Sequence, residues 1–137
     1  MNLSPLLEAI LRFLLAVALG TAVGYQRERA GKAAGMRTHI LVSSGAALFT
    51  LVSIYGFSGG EADISRVAAG VVLGVGFIGA GVILRGQREE EVAGLTTAAT
   101  IWVTAAIGLA AGAGMYLVSV VATAVIVGIL LLPKIRG

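Results

Sequence analysis

The chain has 137 residues, of which 58% are hydrophobic and only 12% are charged. A charged fraction about half that of a typical soluble domain, together with a mean hydropathy of +0.98, excludes a compact soluble protein and indicates an integral membrane protein. The net charge is +3, but the basic residues lie between apolar stretches, so a positive-inside bias explains them better than nucleic-acid binding does.

Five apolar stretches follow one another along the chain, each near the roughly 20 residues needed to cross a bilayer. They are Leu6–Gly24, Thr38–Phe57, Ile64–Leu84, Leu95–Ala111 and Met115–Leu132. A short turn joins the last two, and a four-span alternative would leave that hairpin half-buried. The sequence therefore predicts an all-α, polytopic transmembrane protein of about five spans, with residues 1–137 forming one transmembrane domain.

The basic residues are distributed unevenly between the two sides of these spans. Eight of them follow the first, third and fifth spans, namely Arg27, Arg29, Lys32, Arg37, Arg85, Arg88, Lys134 and Arg136. The opposite side has only Arg12 and Arg66. This asymmetry predicts that the N-terminus lies outside and the C-terminus in the cytoplasm.

An internal repeat is visible in the first four spans. The segment Gly20–Thr38 aligns without gaps to Gly79–Thr97, with identical glycine, arginine, alanine and threonine residues at five positions. Both segments lead from a span through a cytoplasmic loop into the next span. The alignment predicts a parallel repeat of spans 1–2 and 3–4, related by an axis along the membrane normal.

The third span contains the sequence GVGFIGAG, in which Gly74, Gly76 and Gly79 match the dinucleotide-binding pattern G-x-G-x-x-G. That pattern needs a strand before it and an acidic residue about 20 positions later, whereas here one apolar run continues on both sides. Close helix packing, or the lining of a path, explains the glycines better. The glycines predicted for this role are Gly20, Gly24, Gly70, Gly74, Gly76, Gly79, Gly81, Gly108 and Gly112.

Polar residues supply the other candidates. Thr96, Thr100 and Thr104 are spaced for one helical face, where they could line a polar path or bond their own helix. In the first cytoplasmic loop, Glu28 could pair with Arg37. The sequence has no arrangement typical of a catalytic, metal or cofactor site, and we predict a protein that is not an enzyme.

Three blocks of the sequence resemble the membrane domain of the MgtC/SapB family. They are GYQRERAGKAAGMRTHILVSSGAALF, DISRVAAGVVLGVGFIGAGVIL and VAGLTTAATIWVTAAIGLAAGAG, in the family's order and with compatible spacing. The resemblance implies a multi-pass protein of the bacterial inner membrane, linked to growth in low magnesium and to survival in macrophages. It also implies contact with another membrane complex, for which the F-type ATP synthase is the family's example.

The residues that the resemblance marks as functional come from all three blocks. They are Glu28, Arg37 and Thr38 in the first block, Asp63 and Arg66 in the second, and Thr96 and Thr97 in the third. Two features depart from the virulence-associated members: position 96 is Thr where they carry Asn, and the chain ends at Gly137 without their cytoplasmic domain. The virulence and ATP-synthase roles therefore rest on the resemblance alone.

Two functions follow as hypotheses. The first is a non-enzymatic protein that acts in magnesium-linked homeostasis by contacting another membrane complex, and that forms homo-oligomers through its glycine faces. The alternative is a small transporter or channel for an ion or small solute, with Thr96, Thr100 and the glycines of span 3 along the path.

Overall fold

The computed structural model describes residues 3–57, 63–85 and 91–133 of the chain. These residues form five α-helices and no strand. The helices are α1 (Leu3–Arg29), α2 (Met36–Tyr55), α3 (Ser65–Arg85), α4 (Glu91–Gly112) and α5 (Tyr116–Leu130). The first four are long and apolar enough to cross a membrane, and α5 is a shorter apolar helix. The predicted all-α, polytopic class is confirmed.

Helix α5 crosses the same layer as α1 although it has only 15 residues. At its start, the Tyr116 hydroxyl donates to the Glu8 carboxylate over 2.9 Å. At its end, the Leu130 carbonyl accepts a hydrogen bond from the Gln26 amide over 3.3 Å. Glu8 and Gln26 are ~27 Å apart along α1 at 1.5 Å per residue, so α5 runs parallel to α1 across most of a bilayer's hydrocarbon core.

Two glycines with positive φ end helices and reverse the chain. Gly31 (φ +70°) follows α1, and Gly114 (φ +88°) follows α4. In each case the N–H groups of the glycine and of the following residue bond back to carbonyls in the last turn of the helix. Gly31 and Lys32 donate to Glu28 and Arg27, and Gly114 and Met115 donate to Ala111 and Ala110. This is the Schellman arrangement, in which a residue in the left-handed region satisfies the final carbonyls. Both short turns therefore depend on glycine.

Helices α1 and α4 pack closely on either side of α2, and small residues make this approach possible. A Cβ added at Gly20 would stand 2.8 Å from the His39 carbonyl oxygen, and one at Gly112 would stand 2.8 Å from that of Ala47. At Gly108 the added atom would overlap the Ser43 carbonyl oxygen. Backbones at such separations leave no room for side chains, as in other closely packed membrane helices.

Helix α3 lies at the edge of the bundle. It packs mainly on α4, where Gly79 faces Ala98, and it exposes large apolar side chains such as Leu73 and Phe77 to the surroundings. An apolar groove of about 500 Å³ separates α3 from α2. Gly45, Gly70 and Gly74 line this groove, and a Cβ at any of the three would meet nothing within 4 Å.

The packing agrees with the predicted repeat. Gly20 in α1 lies against His39 in α2, and the residues aligned to them, Gly79 in α3 and Ala98 in α4, also lie against each other. The aligned residues Ala46 and Ala105 share one buried cluster between α2 and α4. A pseudo-twofold axis between these parallel helices would produce both relationships.

A polar network ties the helices together at the end opposite the α1–α2 turn. Arg12 pairs with Glu8 one turn away in α1 at 2.9 Å and also donates to the Gly112 carbonyl at the end of α4 over 3.1 Å. The same guanidinium lies 6.0 Å from the ring centre of Tyr55, at the end of α2. A cation placed on the final carbonyls of a helix stabilises its dipole. Arg12 thereby joins three helices at this end.

Candidate functional site

A buried arginine lies at the end of α1, near the starts of α2 and α4. Arg27 is 2% exposed, and its Nη2 donates to the hydroxyl of Thr97 in α4 over 3.1 Å. Its Nε has no hydrogen-bond partner, and no carboxylate pairs with the guanidinium among the described residues. Arginine is almost never this buried without an opposite charge, so the arrangement is unusual.

His39 lies beside this arginine, in the first turn of α2, and is fully buried. Its Nδ1 is 2.8 Å from the Gly35 carbonyl oxygen. A carbonyl only accepts hydrogen bonds, so Nδ1 carries the proton of the neutral ring and Nε2 holds a lone pair. That Nε2 has no partner in the described structure. The Cβ of His39 lies against Gly24, three residues before Arg27 in α1, so both residues belong to the same junction of α1 and α2.

We call Arg27, His39 and Thr97 the buried polar cluster. It combines a fixed positive charge, an unused N–H donor and an unused acceptor nitrogen in a region shielded from solvent. A cation would be repelled by Arg27, and the described residues contain no group of three His, Asp or Glu side chains that could hold a metal.

The residues marked in the first block surround the start of α2. Glu28, Arg37 and Thr38 line a shallow depression of about 340 Å³ on the surface. The Glu28 carboxylate accepts a hydrogen bond from the Met36 N–H over 3.0 Å, and it does not form the suggested pair with Arg37. Glu28 therefore supplies the N-terminal cap of α2, where Gly35 has no side chain to do so.

We predict that Glu28→Ala lowers the stability of the protein by about 1 kcal/mol, the usual loss for a removed helix cap. Thermal unfolding in detergent, followed by circular dichroism, measures the change. Lys32→Ala is the matched control, because Lys32 is exposed in the same loop and should leave the unfolding temperature unchanged. Equal effects of the two substitutions would contradict the capping role.

The marked residues of the second block, Asp63 and Arg66, lie at the start of α3, at the other end of the bundle from the buried polar cluster. The Ser53 hydroxyl in the last turns of α2 donates to the Ile64 carbonyl and so holds the start of α3 there. The Asp63 carboxylate caps α3, accepting from the Ser65 N–H over 3.0 Å. Arg66 is exposed in the first turn, and no ion pair links it to Asp63 in the described structure.

The threonines of the third block do not share one environment. Thr96 is exposed, whereas Thr97 and Thr100 are buried. The hydroxyl of Thr100 donates to the Thr96 carbonyl over 2.8 Å, and that of Thr104 donates to the Thr100 carbonyl over 2.7 Å. The structure therefore joins the first and third blocks through Arg27 and Thr97, and it places the second block elsewhere.

Sequence reasoning assigned no site role to two of the three members of this cluster, Arg27 and His39. Arg27 was counted only among the basic residues that predict the orientation of the chain. A signal existed for Arg27: it continues the 4-3-4 spacing of Ala16, Gly20 and Val23, all of which are buried. A similar signal existed for His39, which shares one helical face with Ser43, Thr50 and Ser53, all of them buried.

Fold and site together define a multi-pass helical membrane protein with a buried cationic cluster near one end of the bundle. The family model of the MgtC family matches residues 13–135. The chain belongs to the MgtC family.

Curated relatives agree with this membership. "Putative magnesium transporter YhiD" of Escherichia coli strain K12 is 53% identical over 115 residues, covering 80% of this chain and 53% of that protein. "Protein SrpB" of Synechococcus elongatus is 44% identical over 124 residues, covering 82% and 67%. "Protein MgtC" of Brucella abortus is 41% identical over 111 residues, covering 81% and 45%. The chain thus spans about half the length of the first of these relatives. No solved structure matches it.

Proposed function

We propose that this protein is a non-enzymatic component of the bacterial inner membrane that acts in magnesium-linked homeostasis by contacting another membrane complex. Membership of the MgtC family and the magnesium-related name of the YhiD relative support the magnesium link. The distribution of basic residues supports an outer N-terminus and a cytoplasmic C-terminus. The buried polar cluster then lies near the cytoplasmic end.

One observation carries the choice of contact over transport: the hydroxyls of Ser43, Thr100 and Thr104 inside the bundle bond backbone carbonyls and are tightly packed. Thr100 and Thr104 bond the carbonyls of their own helix. The Ser43 hydroxyl donates to the Ala16 carbonyl over 2.8 Å, and the Ser43 backbone closes against Gly108. The close contact of α2 and α4 beside these hydroxyls leaves little room for a hydrated ion.

The groove between α2 and α3 supports the contact itself. Its glycines are open, unlike those buried between α1, α2 and α4. A helix that approaches Gly70 and Gly74 could reach the α3 backbone closely, which is how small residues promote helix association in lipid. We propose that the partner complex binds at this groove, and the F-type ATP synthase is the candidate that the family resemblance suggests. We propose the same groove for contact between copies in a homo-oligomer.

Growth of the source bacterium in low magnesium tests this function. We expect deletion of the gene to slow growth only when magnesium is scarce, and Gly74→Leu, which fills the groove, to fail to restore growth. Val72→Leu is the matched control, since Val72 is 50% exposed on the same helix outside the groove and its replacement should restore growth fully. Equal growth of both variants, at equal levels in the membrane, would refute contact through the groove.

Transport remains the second candidate because the YhiD relative bears the name of a transporter. Liposomes that contain the purified protein and an internal magnesium-sensitive dye separate the two functions. We expect uptake of Mg²⁺ no faster than in empty liposomes. Saturable uptake that Thr100→Leu blocks and Val72→Leu does not would establish a path and overturn the contact proposal.

A further inference from the structure

The buried polar cluster lacks a counter-charge and two hydrogen-bond partners among the described residues. Neither magnesium nor a partner helix would supply them. Among the described residues, the buried guanidinium of Arg27 has one hydrogen-bond acceptor, the neutral hydroxyl of Thr97. Its Nε donor and the Nε2 acceptor of His39 are both buried, and neither has a partner in the part of the chain that the structure describes. A buried charge without a counter-charge costs several kcal/mol, and unpaired polar atoms add to that cost (about 1–3 kcal/mol each).

The chemistry of these atoms limits what can satisfy them. The positive charge favours an anion, and guanidinium N–H groups match the oxygens of carboxylates and phosphates. The proton on Nδ1 leaves His39 Nε2 as an acceptor, so the same group should also offer a hydrogen. A fully deprotonated anion such as sulfate meets the first requirement but not the second.

We propose that the buried polar cluster binds an oxyanion that retains a hydrogen, of the hydrogen-phosphate class. Its oxygens accept from Arg27, and its hydroxyl donates to His39 Nε2. Arg27 lies in the last turn of α1, so the cluster is near the end of the bundle and not in the middle of the membrane. Free phosphate and the phosphate monoester of a lipid share this chemistry.

Thermal unfolding of the full chain in detergent tests the proposal, with the fluorescence of Trp102, the only tryptophan in the sequence, as the signal. At neutral pH we expect inorganic phosphate to raise the unfolding temperature of the wild-type protein by about 5 °C at saturation. Sodium sulfate at the same ionic strength should raise it by less than half as much. Arg27→Gln should abolish the difference, while Lys32→Gln, which removes an exposed charge nearby, should preserve it.

A second arm identifies the source of the phosphate group. Nanodiscs of phosphatidylcholine with phosphatidic acid present the monoester on a lipid, and nanodiscs of phosphatidylcholine alone do not. Stabilisation by phosphatidic acid but not by free phosphate assigns the site to a lipid headgroup, and the reverse assigns it to the free anion. Equal shifts with phosphate and sulfate, or no shift in either arm, would overturn the proposal. That comparison uses the wild-type protein and stands even if Arg27→Gln does not fold.

Discussion

Replacing Gly108 by alanine is expected to lower the free energy of unfolding by about 3 kcal/mol, the upper end of the usual cost of overpacking a tight interior. The added Cβ would overlap the carbonyl oxygen of Ser43 in α2. That oxygen belongs to the backbone of a helix, so it cannot move aside as the tip of a side chain could. Relief requires α2 and α4 to separate, which would also loosen the contact of Gly112 with Ala47.

The matched control is Gly74→Ala, which makes the same change in another membrane helix. A Cβ at Gly74 would meet nothing within 4 Å, so no clash opposes it. Alanine favours helix over glycine by up to about 1 kcal/mol, and the variant should be as stable as the wild type or more stable. Reversible unfolding in mixed detergent measures both variants. A similar loss of stability in the two would show that the α2–α4 contact is looser than the structure has it.

The contrast between these glycines shows where sequence reasoning reached its limit. The pattern G-x-x-x-G occurs at Gly70 and Gly74 and again at Gly108 and Gly112, and the residues alone do not tell the two apart. In the structure one pair lines an open groove and the other lies against α2. The motif itself is the same in both helices, but α4 carries Thr100 and Thr104 on the face of Gly108, and this face is buried. Helix α3 is apolar all round and gives no sign of which side points to lipid. The difference follows from the arrangement of neighbouring helices, which the local pattern does not encode.

The elements themselves were predictable because their signals are local. Stretches long enough to cross a bilayer gave the helices, and glycines between them marked the sharp turn after α4, where Gly114 takes a positive φ. The hydrogen-bond partners of individual side chains were harder to predict. The carboxylate of Glu28 was expected to pair with Arg37, but it caps the Met36 N–H instead, because a helix start without a capping side chain leaves free N–H groups within its reach.

Arg27→Met is expected to stabilise the protein by about 1–3 kcal/mol in a buffer without phosphate. Replacing buried charges by apolar side chains of similar volume is often neutral or stabilising by this order, since the desolvation cost disappears. Arg27 is buried beside a single neutral acceptor, and methionine can occupy the volume of its stem. Unfolding in phosphate-free detergent measures the gain, and adding phosphate should then stabilise the wild type but not the variant.

Arg29→Met is the control for this last change, because Arg29 lies two residues further along α1 but is exposed and bonds the Tyr25 hydroxyl at the surface. Its replacement should leave stability nearly unchanged with or without phosphate. If Arg27→Met instead lost several kcal/mol in phosphate-free buffer, the charge of Arg27 would have to be compensated within the folded chain itself. The buried polar cluster would then be a structural contact, and no external anion would be needed to compensate the charge of Arg27. A gain in stability on removing Arg27 would mean that the fold keeps this arginine at a cost, as expected of a residue retained for binding.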